Sequence, residues 1–318
     1  MENNLNKSNF LYRTIFLLFV FLFLTFYTCL GQCGCSSSQQ FLPPLHWLGT
    51  SEIAISEKKR LRLDFMYKFG AGENLFKGSD KISSETNYKI HFFDLFASYG
   101  VSNYTAIDFY INYNLRLLSQ YNFTTKGYGF SIAALGLRHT FYESDKSDLI
   151  LNAGAGIKIP LMGFKPIEEH PILVQPTTGA FGINAFAFLQ KSLPDYFFNI
   201  LIYSRFDYNF KNNQKYQFGP SITSSLFLSR RFSERFTSLV EIRYSKLLSD
   251  KNHDTIYPNS GANLLLIVPR LTLFFEGISI SPFAEFPLYQ NYNGEQIGFR
   301  FALGLNINIV YNFSRRKL

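Results

Sequence analysis

The sequence is poor in the features that mark most classes of protein. Beyond residue 31 it has no apolar run approaching the ~20 residues that a membrane-crossing helix needs, so no second candidate for a spanning helix exists. It has no Pro/Ser-rich linker and no repeat longer than a hairpin rhythm, which leaves one domain as the economical reading. Charged residues are scarce at 17%, and Lys and Arg mostly stand singly, with Arg60, Arg230-Arg231 and Arg315-Arg316-Lys317 the exceptions. A net charge of +8 spread in this way does not make the basic face that nucleic acid requires, so no nucleic-acid partner is expected. Helical periodicity is also missing after residue 60. Against 1 Trp and 3 Met stand 36 Phe and 20 Tyr, residues that favour strands and membrane interfaces. Mean hydropathy is near zero at -0.01, the average expected when each strand alternates lipid-facing and lumen-facing residues.

Residues 1–31 have the order of a secretory signal: Lys7 and Arg13 in a polar start, an apolar run from Ile15 to Tyr27, then Thr28-Cys29-Leu30-Gly31. The rival, an anchoring helix, is disfavoured because the run is too short to span. Cleavage after Gly31 leaves residues 32–59 as a periplasmic N-terminal segment and 60–318 as the body of the protein. In that segment Cys33 and Cys35 flank a single Gly, so both thiolates can reach one soft ion such as Cu(I). His46 is the one nearby nitrogen ligand, no Met adjoins, and an oxidising compartment favours a disulfide instead. Lipid attachment at Cys33 is a third reading, weakened by Gln32 where a small residue is needed. No cofactor is expected elsewhere.

From residue 60 the chain breaks into long segments of period-two alternation, the mark of strands with two different faces. Between Gln296 and Phe313 one face reads Ile297, Phe299, Phe301, Leu303, Leu305, Ile307, Ile309, Tyr311, Phe313; the other includes Gln296, Arg300, Asn306 and Asn308. Residues 106–118 and 61–69 repeat the pattern, and further strands are predicted at 89–98, 127–141, 148–160, 177–190, 196–210, 216–232, 235–248, 261–275 and 278–288. Most are about twice the ~5–6 residues typical of soluble proteins and suffice for the ~9–11 that a tilted transmembrane strand needs. Connections alternate between long (70–88, 119–126, 161–176, 211–215, 249–260, 289–295) and short (99–105, 142–147, 191–195, 233–234, 276–277). Short periplasmic turns and long external loops are the habit of outer-membrane barrels. Aromatic residues gather near strand ends, at Tyr196-Phe197-Phe198, Phe210, Tyr216, Phe218, Phe232 and Phe274-Phe275, as an interfacial girdle does. The expected fold is all-β: a closed antiparallel up-and-down transmembrane β-barrel of about twelve strands, bounded by the lipids of a bacterial outer membrane.

The alternation turns Arg62, Asp64, Lys68, Asp108, Arg116, Arg205, Asp207, Glu241, Arg243 and Arg300 into the lumen. They either pair across a narrow interior and simply stabilise it, or form a constriction that selects a small solute by charge and size. Arg116, Arg205, Arg243 and Arg300 are the selectivity candidates. Two other chemistries fit poorly. Gly136-Leu137-Arg138-His139-Thr140-Phe141 shares Gly and His with the nucleophile region of outer-membrane phospholipases but has Phe where the Ser must stand, so the alternative is a surface-exposed barrel with such a hydrolase role or with a structural or adhesive one, recognition lying in the long loops at 70–88 and 161–176. Gly154-x-Gly156 lies inside a strand pattern without the following helix that cradles phosphate; small residues there make room for a neighbour or a bend.

Leu95-Phe96-Ala97-Ser98-Tyr99-Gly100-Val101-Ser102 leading into Ala106-Ile107-Asp108, and Leu151-Asn152-Ala153-Gly154-Ala155-Gly156-Ile157-Lys158-Ile159-Pro160-Leu161-Met162-Gly163, resemble the outer-membrane transporter family named for the meta-pathway of phenol degradation. In that family a strand ends in Tyr-Gly-(Val/Ile)-(Ser/Thr), turns and restarts, and a later strand carries Lys-(Leu/Ile)-Pro closely followed by Gly. The resemblance spans roughly residues 60–313. This chain departs by inserting Leu161-Met162 before Gly163 and by its Cys33-Gly-Cys35 start. The resemblance implies passive movement of small, apolar or aromatic molecules, and no binding residues.

Overall fold

The structure is a computed structural model that describes residues 58–120, 123–144, 148–167 and 170–313, side chains at 83–85 excepted. The signal segment, Cys33, Cys35, His46 and the Arg315-Arg316-Lys317 cluster lie outside the described residues.

Long strands form because apolar and polar side chains alternate without interruption. They are β1 (Arg60–Gly78), β2 (Asp80–Gly100), β3 (Thr105–Gln120), β4 (Phe123–Ser144), β5 (Leu149–Pro160), β6 (Gly182–Leu193), β7 (Phe198–Asn209), β8 (Tyr216–Gln217), β9 (Ser221–Ser233), β10 (Phe236–Leu247), β11 (Lys251–Asn252), β12 (Thr255–Ile256), β13 (Ala262–Phe275) and β14 (Ile278–Asn312). All but β8, β11 and β12 close into one antiparallel barrel, each strand beside its neighbour in sequence and β14 beside β1. β14 is a hairpin: residues up to Tyr292 pair with β13, and residues beyond it pair with β1, with Arg60 opposite Asn312. The wall therefore counts twelve strand segments and closes on itself through β14 and β1. β8, β11 and β12 form a separate three-stranded sheet within the long connections.

The faces sort as the alternation predicts. On β3, Ala106, Asp108, Tyr110, Asn112, Asn114, Arg116 and Leu118 are buried, while Ile107 and Phe109 between them are exposed. The outer surface carries Phe65, Tyr67, Phe93, Leu135, Leu137, Ile157, Ile183, Ile202, Leu303 and Leu305, all exposed. In water so continuous an apolar belt would cost stability at every residue; acyl chains are its natural solvent.

Several boundaries differ from the sequence-based expectation. The connections expected at 70–88 and 119–126 are instead strands prolonged beyond the apolar belt, and 289–295 is the tip of the β14 hairpin, with Gly294 at φ 68. Proline and glycine interrupt the strand expected at 216–232: Phe218-Gly219-Pro220 separates β8 from β9. The strand expected from 177 starts only at Gly182, because Val174, Gln175, Thr177, Thr178 and Ala180 before it are buried in irregular chain. Tyr216 and Phe218 belong to no girdle, since both are fully buried with Phe164 and Ile172 under the long connections.

Candidate functional site

Short inward residues leave room for long ones inside the barrel. Gly154 of β5 lies where a Cβ would stand 2.5 Å from the Phe186 ring, so the Gly-x-Gly pair is a packing device. Ser221, Thr223, Ser225 and Ser229 give β9 a shallow buried face next to the ionic residues of β7 and β10.

Along each strand the interior is layered. Near the short turns Asp108 accepts from Ser98 Oγ at 2.6 Å and pairs with Arg138 Nε at 3.2 Å. Above it Phe96, Tyr110, Ala134, Ile150, Phe188, Leu201, Tyr203, Phe227 and Leu239 make an apolar layer around eight adjoining strands. Next comes an ionic belt. Asp207 accepts from Arg205 Nε at 2.6 Å, from its Nη2 at 2.7 Å and from Lys158 Nζ at 3.0 Å. Across β9, on β10, Glu241 takes a two-pronged bond from Arg243 at 2.7 and 2.9 Å and a third from Ser225 Oγ at 2.8 Å. Arg243 also reaches Glu285 at 3.1 Å, which Lys68 approaches to 3.5 Å. Asp94 accepts from Tyr110 Oη at 2.9 Å and from Asn112, which leads through Asn114 to Arg116 Nε. Buried charges persist where they are paired and hydrogen-bonded, and Asp108, Asp207, Glu241 and Glu285 each meet a cation, while Asp94 is held by the neutral Tyr110 and Asn112.

The mouth opposite the short turns is filled. The segment between Pro160 and Gly182 dips inside, where its Ile172–Val174 turn joins Tyr88, Ile90, Phe92, Leu118 and Ile297. Tyr88 Oη donates to Leu173 O at 3.0 Å, Asn114 Nδ2 to Pro176 O at 2.9 Å, and Asn212 Nδ2 to Thr178 O at 3.0 Å. Gly127 is required where Val174 O presses on β4. Over this segment the long connections are tied by Asp250, which accepts from Tyr216 Oη at 2.6 Å and from the Gly219 amide at 2.8 Å, while its own amide bonds Ser260 Oγ. Burial pushes the Asp250 carboxyl up to about 6 against those two lowering bonds, and burial beside Asp250 raises the Tyr216 phenol.

Among the expected lumen residues, Arg62, Asp64, Asp108, Arg116, Arg205, Asp207 and Glu241 are buried, and Arg243 stands half-buried beside Glu241. Asp64 accepts from Asn306 at 3.2 Å. Arg300 departs from the expectation. A register shift between Ala71 and Gly72 leaves it without a partner position on β1, and the alternation reverses above it. Ile297 and Phe299 consequently turn inward, while Arg300 stands 47% exposed, bonded to Glu73 at 3.0 Å. The alternation reading passed over Arg138, Lys158, Asp94 and Glu285, buried residues of expected strands on which it had assigned no lumen residue. His139 faces outward, its Nδ1 2.9 Å from Thr105 Oγ1 and its ring against Phe141.

No family model matches the sequence, and no curated protein is similar to it in sequence. Solved structures do resemble it. An outer membrane channel from Pseudomonas putida F1 superposes with a TM-score of 0.66 at 12% identity, covering 80% of this chain and 96% of that one. The translocator domain of the autotransporter NalP from Neisseria meningitidis gives 0.45 at 11% identity, over 78% and 88%. The CymD monoaromatic hydrocarbon channel gives 0.40 at 10%, over 80% and 89%; these last two scores are too low to carry argument. The first establishes the fold: this chain is a closed antiparallel β-barrel of the kind seen in an outer-membrane channel.

Proposed function

We propose that the protein is a passive channel of a bacterial outer membrane that passes a small apolar or aromatic solute. The observation that carries this reading is the inverted polarity of the wall, with exposed Phe, Tyr, Leu and Ile outside and buried ion pairs inside. A barrel of twelve segments lies between those whose interior is filled by side chains and the sixteen-stranded open porins. Its charges neutralise one another, so a bare ion meets a narrow, paired belt rather than a wide polar channel. An uncharged solute loses less on entering the apolar layers on either side of that belt. Arg116, Arg205 and Arg243 would set the selectivity of the belt, with Asp207, Glu241 and Glu285 as carboxylate counter-charges and Arg62, Asp64 and Asp108 as further lumen charges. Reconstitution in planar bilayers and solute-loaded liposomes tests the reading. Low ion conductance with measurable flux of a small aromatic solute supports it, and neither conductance nor flux sinks it.

A further inference from the structure

The wall is not uniformly stitched. β4 pairs with β5 only as far as Ile132 opposite Pro160, yet continues upward through Ser131, Phe130, Tyr128 and Gly127 with β3 alone. β6 begins at Gly182, opposite Lys158. Between β4 and the start of β6, therefore, irregular chain takes the place of two paired strands. Among the described residues one backbone hydrogen bond crosses from that chain to β4, Leu161 N to Ser131 O at 3.2 Å, and Thr177 Oγ1 adds a side-chain bond to the same carbonyl at 2.8 Å.

The height of this seam matters. Phe130 pairs with Tyr113 and Lys126 with Leu117. Tyr113 and Leu117 belong to the outward apolar row Ile107, Phe109, Ile111, Tyr113, Leu115, Leu117, so the seam lies within the upper part of the apolar belt. Its outer rim is apolar and exposed, with Tyr128, Phe130, Leu161, Met162 and Phe181. Directly behind it, the Ile172–Val174 turn packs on the interior apolar cluster of Tyr88, Ile90, Phe92, Leu118 and Ile297. Irregular backbone at membrane depth persists only where it is buried in protein or lines a cavity. Apolar side chains thus face both the lipid and the interior at a weakly bonded seam, crossed by the polar bonds of Leu161 N and Thr177 Oγ1 to Ser131 O, while the axial route below is crossed by the ionic belt.

We propose that this seam is a lateral passage through which an apolar solute moves between the barrel interior and the outer half of the bilayer. The inference rests on the channel reading and adds the route. A membrane-dissolved aryl diazirine, photolysed in liposomes holding the full-length protein, tests it, with labelled residues located by mass spectrometry. In the wild type the probe labels inward-facing Leu118 and Ile297 as well as outward residues. Placing a charge in the rim by Leu161→Arg or Met162→Arg reduces interior labelling about tenfold or more, because a charged head at this depth opposes an apolar solute. Thr177→Val removes a seam bond and increases the labelling. Unchanged migration of the folded barrel on gels and unchanged ion conductance show that the arginine variants fold. Labelling confined to outward residues, or interior labelling that ignores both arginines, overturns the lateral passage. Wild-type protein with neither conductance nor flux would instead overturn the channel reading, whatever the labelling shows.

Discussion

Replacing Asp207 by Asn tests whether the interior is as dry as the ion pairs imply. Asp207 is 3% exposed and receives three N–H donors, two from Arg205 at 2.6 and 2.7 Å and one from Lys158 at 3.0 Å. The amide keeps the shape but offers one acceptor and no charge, leaving two buried cations facing each other. Removing one partner from a buried ion pair costs about 3–5 kcal/mol when water cannot reach the charge left behind. Lys158→Met is a milder change, because Asp207 keeps its fork from Arg205 and a costly buried ammonium is removed; about 1 kcal/mol of either sign is expected. In the double variant the second substitution removes one of the stranded cations, so it recovers about 1–3 kcal/mol of the Asp207→Asn loss. Urea unfolding in lipid vesicles at neutral pH, followed by the gel migration of folded and unfolded barrel, measures all three. An Asp207→Asn cost below about 1 kcal/mol, with no coupling to Lys158, would mean that water solvates the trio and that the interior is an aqueous channel.

Three further outcomes follow from the same geometry. Gly127→Ala puts a methyl against Val174 O without backbone strain, so the inserted turn is expelled and single-channel conductance rises severalfold; unchanged conductance would show that the turn does not close the mouth. Asp250 has its folded carboxyl raised from 3.8 to about 6, so it favours the tied loops fully below pH 3.8 and loses that contribution as pH rises through about 6. Amide exchange at Gly219, corrected for intrinsic rate, should therefore be slower at pH 5 than at pH 8 in the wild type, and Asp250→Asn should abolish the difference. Arg300→Ala removes an exposed pair with Glu73 and a contact with the Phe301 ring and should change stability by about 1 kcal/mol at most, far from the Asp207→Asn loss.

The architecture was legible in the sequence because period-two alternation is a direct imprint of a wall with lipid on one side. Leu61 to Lys68 and Ile107 to Arg116 sort inside and outside with no exception, since neither run contains a bulge. Arg300 escaped for the complementary reason. One extra residue reverses every face beyond it, and nothing in the composition around Gly298 to Phe301 marks that insertion. Which charges meet was not legible either. Asp207 and Lys158 belong to strands two apart in the wall, and Lys68 and Glu285 are brought together only by closure of the barrel through β14 and β1. The dipping segment after Pro160 was expected as an external loop, and its buried Val174, Gln175 and Thr177 carry no periodicity that separates an inserted turn from an outer one.

The order of the interior layers bears on what can cross. A solute entering beside the short turns meets Asp108 and Arg138, then apolar side chains, then the belt of Asp207, Glu241, Arg243 and Glu285, then apolar side chains again. A cation attracted to one carboxylate must displace an Arg or Lys already bonded to it, and an anion must displace a carboxylate from an Arg, so each ion gains little for the hydration it gives up. An uncharged aromatic molecule displaces no partner and finds Phe and Tyr on either side of the belt, where ring contacts replace water. On the proposed channel reading, pairing within the belt opposes ions while the apolar layers receive a solute, and the segment held to β2, β3 and β4 through Leu173, Pro176 and Thr177 stands across the axial way out above them.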